Sequence, residues 1–191
     1  AGYIYHRFRP EVMTSKISDR TDDQTYRDTT YHNMNNSRIY AHEVSAYAED
    51  NLKISSRLRL NLGLHFSLFH VQKQSYFSLQ PRISARYQLT DDITLKASYT
   101  KMSQYVHLLS SMPIAMPTDL WVPVTKEIKP MQSHQYSLGG YYTGIKGWEF
   151  SVEGYYKDMR NVLEYKDGVS FFGSSTGWEN KVEMGKGRSV G

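Results

Sequence analysis

The run Leu58-Arg-Leu-Asn-Leu-Gly-Leu-His-Phe-Ser-Leu68 decides the fold. Leu58, Leu60, Leu62, Leu64, Phe66 and Leu68 are apolar, and Arg59, Asn61, Gly63, His65 and Ser67 stand between them. A period of two sends alternate side chains to opposite faces of a strand. Leucine is a good helix former, but helical winding would scatter these leucines around the whole cylinder. The period outweighs the propensity.

The same beat runs outward in both directions. Upstream, Val44, Ala46, Ala48, Leu52 and Ile54 keep it, broken by Asp50. Downstream, Phe77, Leu79, Ile83, Ala85, Tyr87 and Leu89 alternate with polar residues, and Pro81 falls on the apolar parity. A proline costs one ladder hydrogen bond, so Pro81 is expected near a strand end or an irregularity. Ile93, Leu95, Ala97 and Tyr99 follow, then Tyr136, Leu138, Gly140 and Tyr142, then Trp148, Phe150, Val152, Gly154 and Tyr156. The spacing predicts six strands of roughly ten to fourteen residues, long beside the usual five or six. It suits strands that cross a bilayer at a tilt. Tyr87, Tyr99, Tyr142, Trp148, Tyr155 and Tyr156 gather at strand ends, where an aromatic girdle would sit. A soluble antiparallel sandwich, polar outside and apolar within, satisfies the same alternation.

Composition narrows the class without choosing between those two. The chain has 191 residues, a formal charge of +4 and no cysteine, and 14% of it is aromatic, with 16 tyrosines. Mean hydropathy is −0.60, and no apolar run approaches the roughly 18–20 residues of a membrane helix. The charge excess is mild and spread out, so nucleic acid is not an expected partner. Without cysteine there are no disulfides, thiolate metal sites or cysteine nucleophiles. The opening AGYIYHRFRP lacks a signal-peptide pattern and the closing MGKGRSVG neither caps nor tapers, which reads as a piece of a longer protein.

Connection lengths favour a membrane barrel. Ser55–Arg57, Thr90–Asp92 and Thr143–Gly147 are short. Against them stand Gln72–Ser75, a long proline-bearing stretch from about 105 to 131, and polar excursions over 1–37 and from Asn161 to about Trp178. Tight turns at one end and long excursions at the other are how outer-membrane barrels are built.

Specific runs then carry a resemblance. Glu43-Val-Ser-Ala-Tyr-Ala-Glu-Asp-Asn51, Leu60-Asn-Leu-Gly-Leu-His65, Gln80-Pro-Arg-Ile-Ser-Ala-Arg-Tyr87 and Leu95-Lys-Ala-Ser-Tyr-Thr100 occur in that order. Leu120-Trp-Val-Pro123, Tyr136-Ser-Leu-Gly139 and Glu153-Gly-Tyr-Tyr-Lys-Asp-Met159 continue it. The order resembles TonB-dependent outer-membrane receptors, most of all those of Bacteroidetes, with His65 where the family usually has arginine. The resemblance implies an all-β fold: about seven antiparallel strands of a larger, 22-stranded transmembrane barrel whose plug lies elsewhere. It implies residues 1–37 mainly as extracellular loop, 38–104 as strands and 105–131 as a long extracellular loop. A strand hairpin over 132–160 and a loop with a returning strand over 161–191 complete it. It further implies the outer membrane of a Gram-negative bacterium, and lipid, the protein's own plug, the TonB energy-coupling complex and a surface lipoprotein as partners. The expected activity is capture of substrate at external loops and import into the periplasm. A small passive barrel, a surface adhesin and a soluble β-sandwich binding module are the rivals.

No catalytic chemistry is legible, so an enzyme is not expected, and neither is a cofactor. His42-Glu43 lacks the second histidine of a zinc motif, Ala46 standing there. Asp19, Asp22, Asp23 and Asp28 lack the glycine and terminal glutamate of a calcium loop. Gly185-Lys-Gly-Arg188 opens no helix and is a strand rather than a phosphate loop. The expected substrate residues lie on the long loop: Tyr105, His107, Asp119 and Trp121, with packing of that loop onto the rim as the plainer alternative. The expected girdle is Tyr87, Tyr99, Tyr142, Trp148 and Tyr156. Arg59, Arg82 and Arg86 are expected on the wet face, solvating the wall or meeting acidic groups of a plug.

Overall fold

A computed structural model describes residues 1–10, 15–20, 26–31, 38–109, 120–168 and 177–191. The strands are β1 (Gly2–Phe8), β2 (Ser15–Arg20), β3 (Tyr26–Tyr31), β4 (Ile39–Lys53), β5 (Leu58–Val71) and β6 (Gln74–Gln88). After them come β7 (Ile93–Gln104), β8 (Val106–Leu109), β9 (Leu120–Pro123), β10 (Met131–Tyr142), β11 (Phe150–Tyr165) and β12 (Val182–Val190). Eight of them form one antiparallel sheet in the order β1-β4-β5-β6-β7-β10-β11-β12. β2 with β3 and β8 with β9 make separate two-stranded ribbons. The fold is all-β and antiparallel, as the alternation required.

The register places the predicted apolar residues that fall in the strands on one face. Leu60, Leu62, Leu64, Phe66 and Leu68 pair with Leu52, Asp50, Ala48, Ala46 and Val44 on one side. On the other side the same residues pair with Ala85, Ile83, Pro81, Leu79 and Phe77. Leu138 sits between Ala97 and Gly154. This face is open: Phe77, Leu138 and Val152 are 60%, 66% and 79% exposed. No second sheet covers it among the described residues, so the sandwich reading loses its core. The opposite face is concave. Lys53, Arg59, Asn61, Arg86, Lys96, Tyr141 and Glu153, from six strands, line one concavity of about 770 Å³. The concave face is called the inner face below and the apolar one the outer face.

Three connections at one end are short, and two share a device. The Ser55 hydroxyl accepts from the backbone N–H groups of Arg57 and Leu58, and the Thr90 hydroxyl from those of Asp92 and Ile93. Small hydroxyl side chains close turns in this way. The third short connection, between β10 and β11, turns at Gly147, whose φ of +85° suits a residue without Cβ.

Three expectations need correction. Residues 2–8, read as part of a polar excursion, form β1, whose Gly2–Phe8 pairs with Ser45–Ile39 of β4; seven residues with few aliphatics gave a weak alternation signal. The connection at Gln72–Ser75 is no excursion but a tight turn, with Gln72 and Lys73 at φ of +45° and +70°. Tyr155 lies on the inner face, opposite Ser137 and next to Ser189, and not with Tyr156. Pro81, by contrast, is interior to β6 and lies at an irregularity as expected: the β6–β7 pairing stops at Arg82 and Thr100. Beyond that point the Gln80 amide oxygen accepts from the Ser103 backbone N–H at 3.3 Å, and the Ser78 and Ser103 hydroxyls meet at 2.7 Å. Side chains stitch what the proline leaves open.

Candidate binding site

The inner face changes character along its length. Toward the long connections it turns apolar, with Phe8, Ile39, Ala41, Phe69 and Val71 all buried. The β8–β9 hairpin folds onto this apolar patch. Its pairs His107 with Val122 and Leu109 with Leu120 turn inward and are buried, while the pair Leu108 with Trp121 faces out. Trp178, on a short 3₁₀ turn over Trp178–Lys181, and Val182 complete the cluster.

Tyr105 anchors the hairpin. Its ring stacks on Phe69 with centroids 5.0 Å apart and planes 6° from parallel. Its hydroxyl meets the Ser67 hydroxyl at 2.7 Å, and the Gln80 amide N–H donates to the same Ser67 oxygen at 2.9 Å. Its carbonyl accepts from the Val124 N–H. The Tyr76 hydroxyl donates to the Thr125 carbonyl, and the Asn161 amide donates to the Pro130 carbonyl. Burial pushes the Tyr105 hydroxyl above the usual tyrosine range and the His107 imidazole below the usual histidine range, because both charged forms lose water. The His107 Nε2 is buried without a hydrogen-bond partner among the described residues.

The expected substrate residues therefore separate. Tyr105 and His107 are 4% and 5% exposed and hold the hairpin down. Trp121 is 60% exposed beside Leu108, on the side of the hairpin that faces away from the buried cluster. Asp119 lies outside the described residues, as do Asp22 and Asp23; Asp19 and Asp28 fall in β2 and β3. Sequence reasoning missed Ser67, Gln80, Phe69 and Trp178. The available signal was Phe69 and Val71, apolar residues on the polar parity of β5, which mark where something covers the inner face.

Toward the short turns the inner face is cationic. The registers align Lys53 with Arg59, Arg59 with Arg86, and Arg86 with Lys96, one level across four strands. Beyond Lys96 the level continues through Gly139 to Glu153. Lys96 also lies 3.8 Å from the Tyr141 ring centroid. Like charges directly opposite one another destabilise a sheet, so this row needs an anionic counterpart or deep water. Arg59 and Arg86 join this row as expected; Arg82 sits four residues from Arg86 on the same face, between Gly63 and Thr100.

On the outer face the expected girdle residues fall at two levels. Tyr142 faces Ile93 and Phe150, Trp148 stacks on Phe150, and Tyr87 lies between Leu58 and Leu95, all near the short turns. Six positions along, Tyr99, Tyr136 and Tyr156 form one cross-strand row. Tyr136 and the stacked Tyr5 and Tyr40 on β1 and β4 extend the aromatic set beyond the expected residues.

Comparison with known proteins fits this geometry. No curated protein sequence matches the chain. Among solved structures, the ferric-catecholate import receptor Fiu of E. coli K12 matches with a TM-score of 0.52 at 14% identity, over 85% of this chain and 26% of that one. The FrpB iron transporter of Neisseria meningitidis also matches at 0.52 and 14%, over 69% of this chain and 20% of that one. The chain thus spans a fifth to about a quarter of the length of these relatives, and at such identities the likeness is one of fold. The family model for the TonB dependent receptor-like β-barrel matches residues 1–191, from end to end, and the chain belongs to that family.

Proposed function

We propose that the chain is part of an outer-membrane active transporter of a Gram-negative bacterium, which captures substrate at its loops and imports it into the periplasm. The observation that carries this reading is the two-faced sheet. Its outer face is an apolar wall, interrupted at Asp50, between two aromatic levels, and suits lipid. Its concave inner face is wet and cationic at one end and covered by an inward-folded hairpin at the other. On this reading the exposed Trp121 and Leu108 offer substrate contact, and Tyr105 and His107 position the hairpin that presents them. The row Lys53, Arg59, Arg86 and Lys96 suits acidic groups of the protein's own plug or an anionic cargo. Energy comes from the TonB complex acting through the plug, and a Bacteroidetes-type surface lipoprotein belongs to the same proposal; finding a lipoprotein gene beside the receptor's own would support that last part.

The test is uptake by cells carrying the whole receptor, with labelled ferric chelates, cobalamin, oligosaccharides and peptides as probes. Accumulation of one class that requires both the receptor and the energy-coupling complex is expected. Accumulation indifferent to a protonophore would refute active transport and leave a passive barrel.

A further inference from the structure

The cationic row of the inner face has a second row beside it, and the two repeat together. Lys53, Arg59, Arg86 and Lys96 stand opposite one another on β4 to β7. Two residues nearer the long connections, the same four strands carry Asn51, Asn61, Ser84 and Ser98, also in register. All of these residues line the concavity of about 770 Å³. Each strand thus brings one cation and one neutral amide or hydroxyl, and the unit recurs at the strand spacing of about 4.8 Å. Within a strand its two members lie about 7 Å apart.

The protein's own carboxylates leave these cations unneutralised. Among the described residues no ion pair reaches any of the four. Glu49, on the same face, takes a hydrogen bond from the Asn61 amide at 2.6 Å, and Lys96 lies on the Tyr141 ring. Glu153 closes the row at its far end, with its side chain across Gly139, where a Cβ would come within 3.1 Å of Glu153 Cγ. Barrel strands tilt by about 40°, so a row across them climbs the wall instead of circling it. From Lys53 to Lys96 the row is about 14 Å long and gains about 9 Å of height. Equal sites that ascend the lumen suit an extended chain that steps along them.

The repeat selects the chain. In an extended peptide the side chains of one face recur every 7 Å or so, out of step with strands about 4.8 Å apart, and a peptide brings no hydroxyl at each repeat. Polyphosphate has no use for the neutral row. A nucleotide chain wants aromatic faces for its bases, and the Tyr141 ring is taken by Lys96. A linear chain of acid sugars matches both rows. Its rings repeat close to the strand spacing, and each carries a carboxylate at one edge and hydroxyls at the other. Arginine and lysine pair with the carboxylates, amides and hydroxyls exchange hydrogen bonds with the sugar hydroxyls, and long cationic side chains absorb the turn from ring to ring. We propose that the inner face of β4 to β7 is a passage site for a linear oligosaccharide of uronic-acid type. The inference rests on the transport reading and narrows its cargo to polyanionic sugars.

The test is uptake by cells carrying the whole receptor, with two labelled probes: a tetragalacturonate, and the same tetrasaccharide with its carboxyls reduced to alcohols. The expected result is energy-dependent accumulation of the acidic probe, at least about tenfold above the neutral one, because each charged contact carries about a factor of ten or more. That preference should vanish in the Arg59→Gln, Arg86→Gln double variant and survive in Arg59→Lys, Arg86→Lys. Equal accumulation of the two probes by the native receptor overturns the site. So does a double variant that lets a large antibiotic leak in passively while keeping the preference for the acidic probe, since the row is then a brace for the plug. If the double variant fails to assemble, the native receptor's choice between the probes still decides. Energy-dependent uptake of ferric chelates, cobalamin or peptides, with neither sugar taken up, overturns this inference alone. Accumulation of the acidic probe that ignores a protonophore overturns active transport and leaves the site standing.

Discussion

A buried-charge scan along β5 tests the face assignment most directly. Leu58 to Leu68 makes ten steps of about 3.4 Å, which at a tilt near 40° is about 26 Å of height, close to the apolar band of a membrane barrel. On the membrane placement proposed above, Gly63 lies at the middle of that band, with Leu62 and Leu64 at equal depth on either side of it and both on the outer face. An arginine at either position would cost about 2–4 kcal/mol on depth alone. Their cross-strand neighbours differ. Leu64 stands between Ala48 and Pro81, whereas Leu62 stands between Asp50 and Ile83. Asp50, the residue that broke the alternation of β4, is therefore aimed at Leu62. Leu62→Arg gains an opposite charge across the strands, worth about 1 kcal/mol or more away from water, and Leu64→Arg does not.

The assay is guanidinium unfolding of the whole receptor in lipid vesicles, read by tryptophan fluorescence. Leu64→Arg is expected to lower stability by the full amount and Leu62→Arg by about 1 kcal/mol less. In an Asp50→Asn background the two should converge. Asn61→Arg, one residue away on the inner face and within reach of Glu49, should change stability by less than about 1 kcal/mol. A loss at Asn61 as large as at Leu64 would refute the face assignment, and unequal losses that persist without Asp50 would refute the pairing argument.

Four further outcomes follow from the structure. Ser67→Ala leaves the buried Tyr105 hydroxyl and Gln80 amide without their shared partner, so a loss of about 1–3 kcal/mol and faster proteolysis within the β8–β9 hairpin are expected. His107 has a folded pKa below its unfolded value of about 6.5, so its neutral form contributes stability above that pH which is lost as pH falls through it; hydrogen exchange of the hairpin should rise on acidification, and His107→Leu should abolish the dependence. Gln72→Asn with Lys73→Gly relieves two non-glycine residues of positive φ and should raise the unfolding midpoint, by about 0.5–1 kcal/mol in stability. Arg86→Gln removes one member of the in-register cationic row and should stabilise the barrel when the plug is deleted, by a few tenths of a kcal/mol; destabilisation there would mean the row is already compensated.

The outer face was legible because lipid or solvent imposes one rule at every second position, and Leu58–Leu68 obeys it without exception. β1 was not, since Tyr3, Ile4, Tyr5 and His6 mix aromatic and polar character on both faces and hydropathy does not separate them. The Gln72–Lys73 turn was hidden for a different reason. Hairpin turns with positive φ are recognised by glycine and asparagine, and here neither is present, so the tight turn resembled an ordinary polar loop.

The long loop shows the deeper limit. Periodicity reports which face a side chain takes but not how much lies above it, and Tyr105, His107 and Trp121 share one loop with opposite fates. What separates them is the apolar break in the polar parity of β5, where Phe69 and Val71 follow Ser67. A wet wall has no use for a phenylalanine and a valine in succession on its inner face, so their presence requires a cover, and a hairpin that alternates His107, Leu109, Leu120 and Val122 supplies it. The side left facing out is then the other parity, Leu108 and Trp121. Read together, the two strands point to the exposed pair, whereas the aromatic content of the loop alone points to the residues that hold it down.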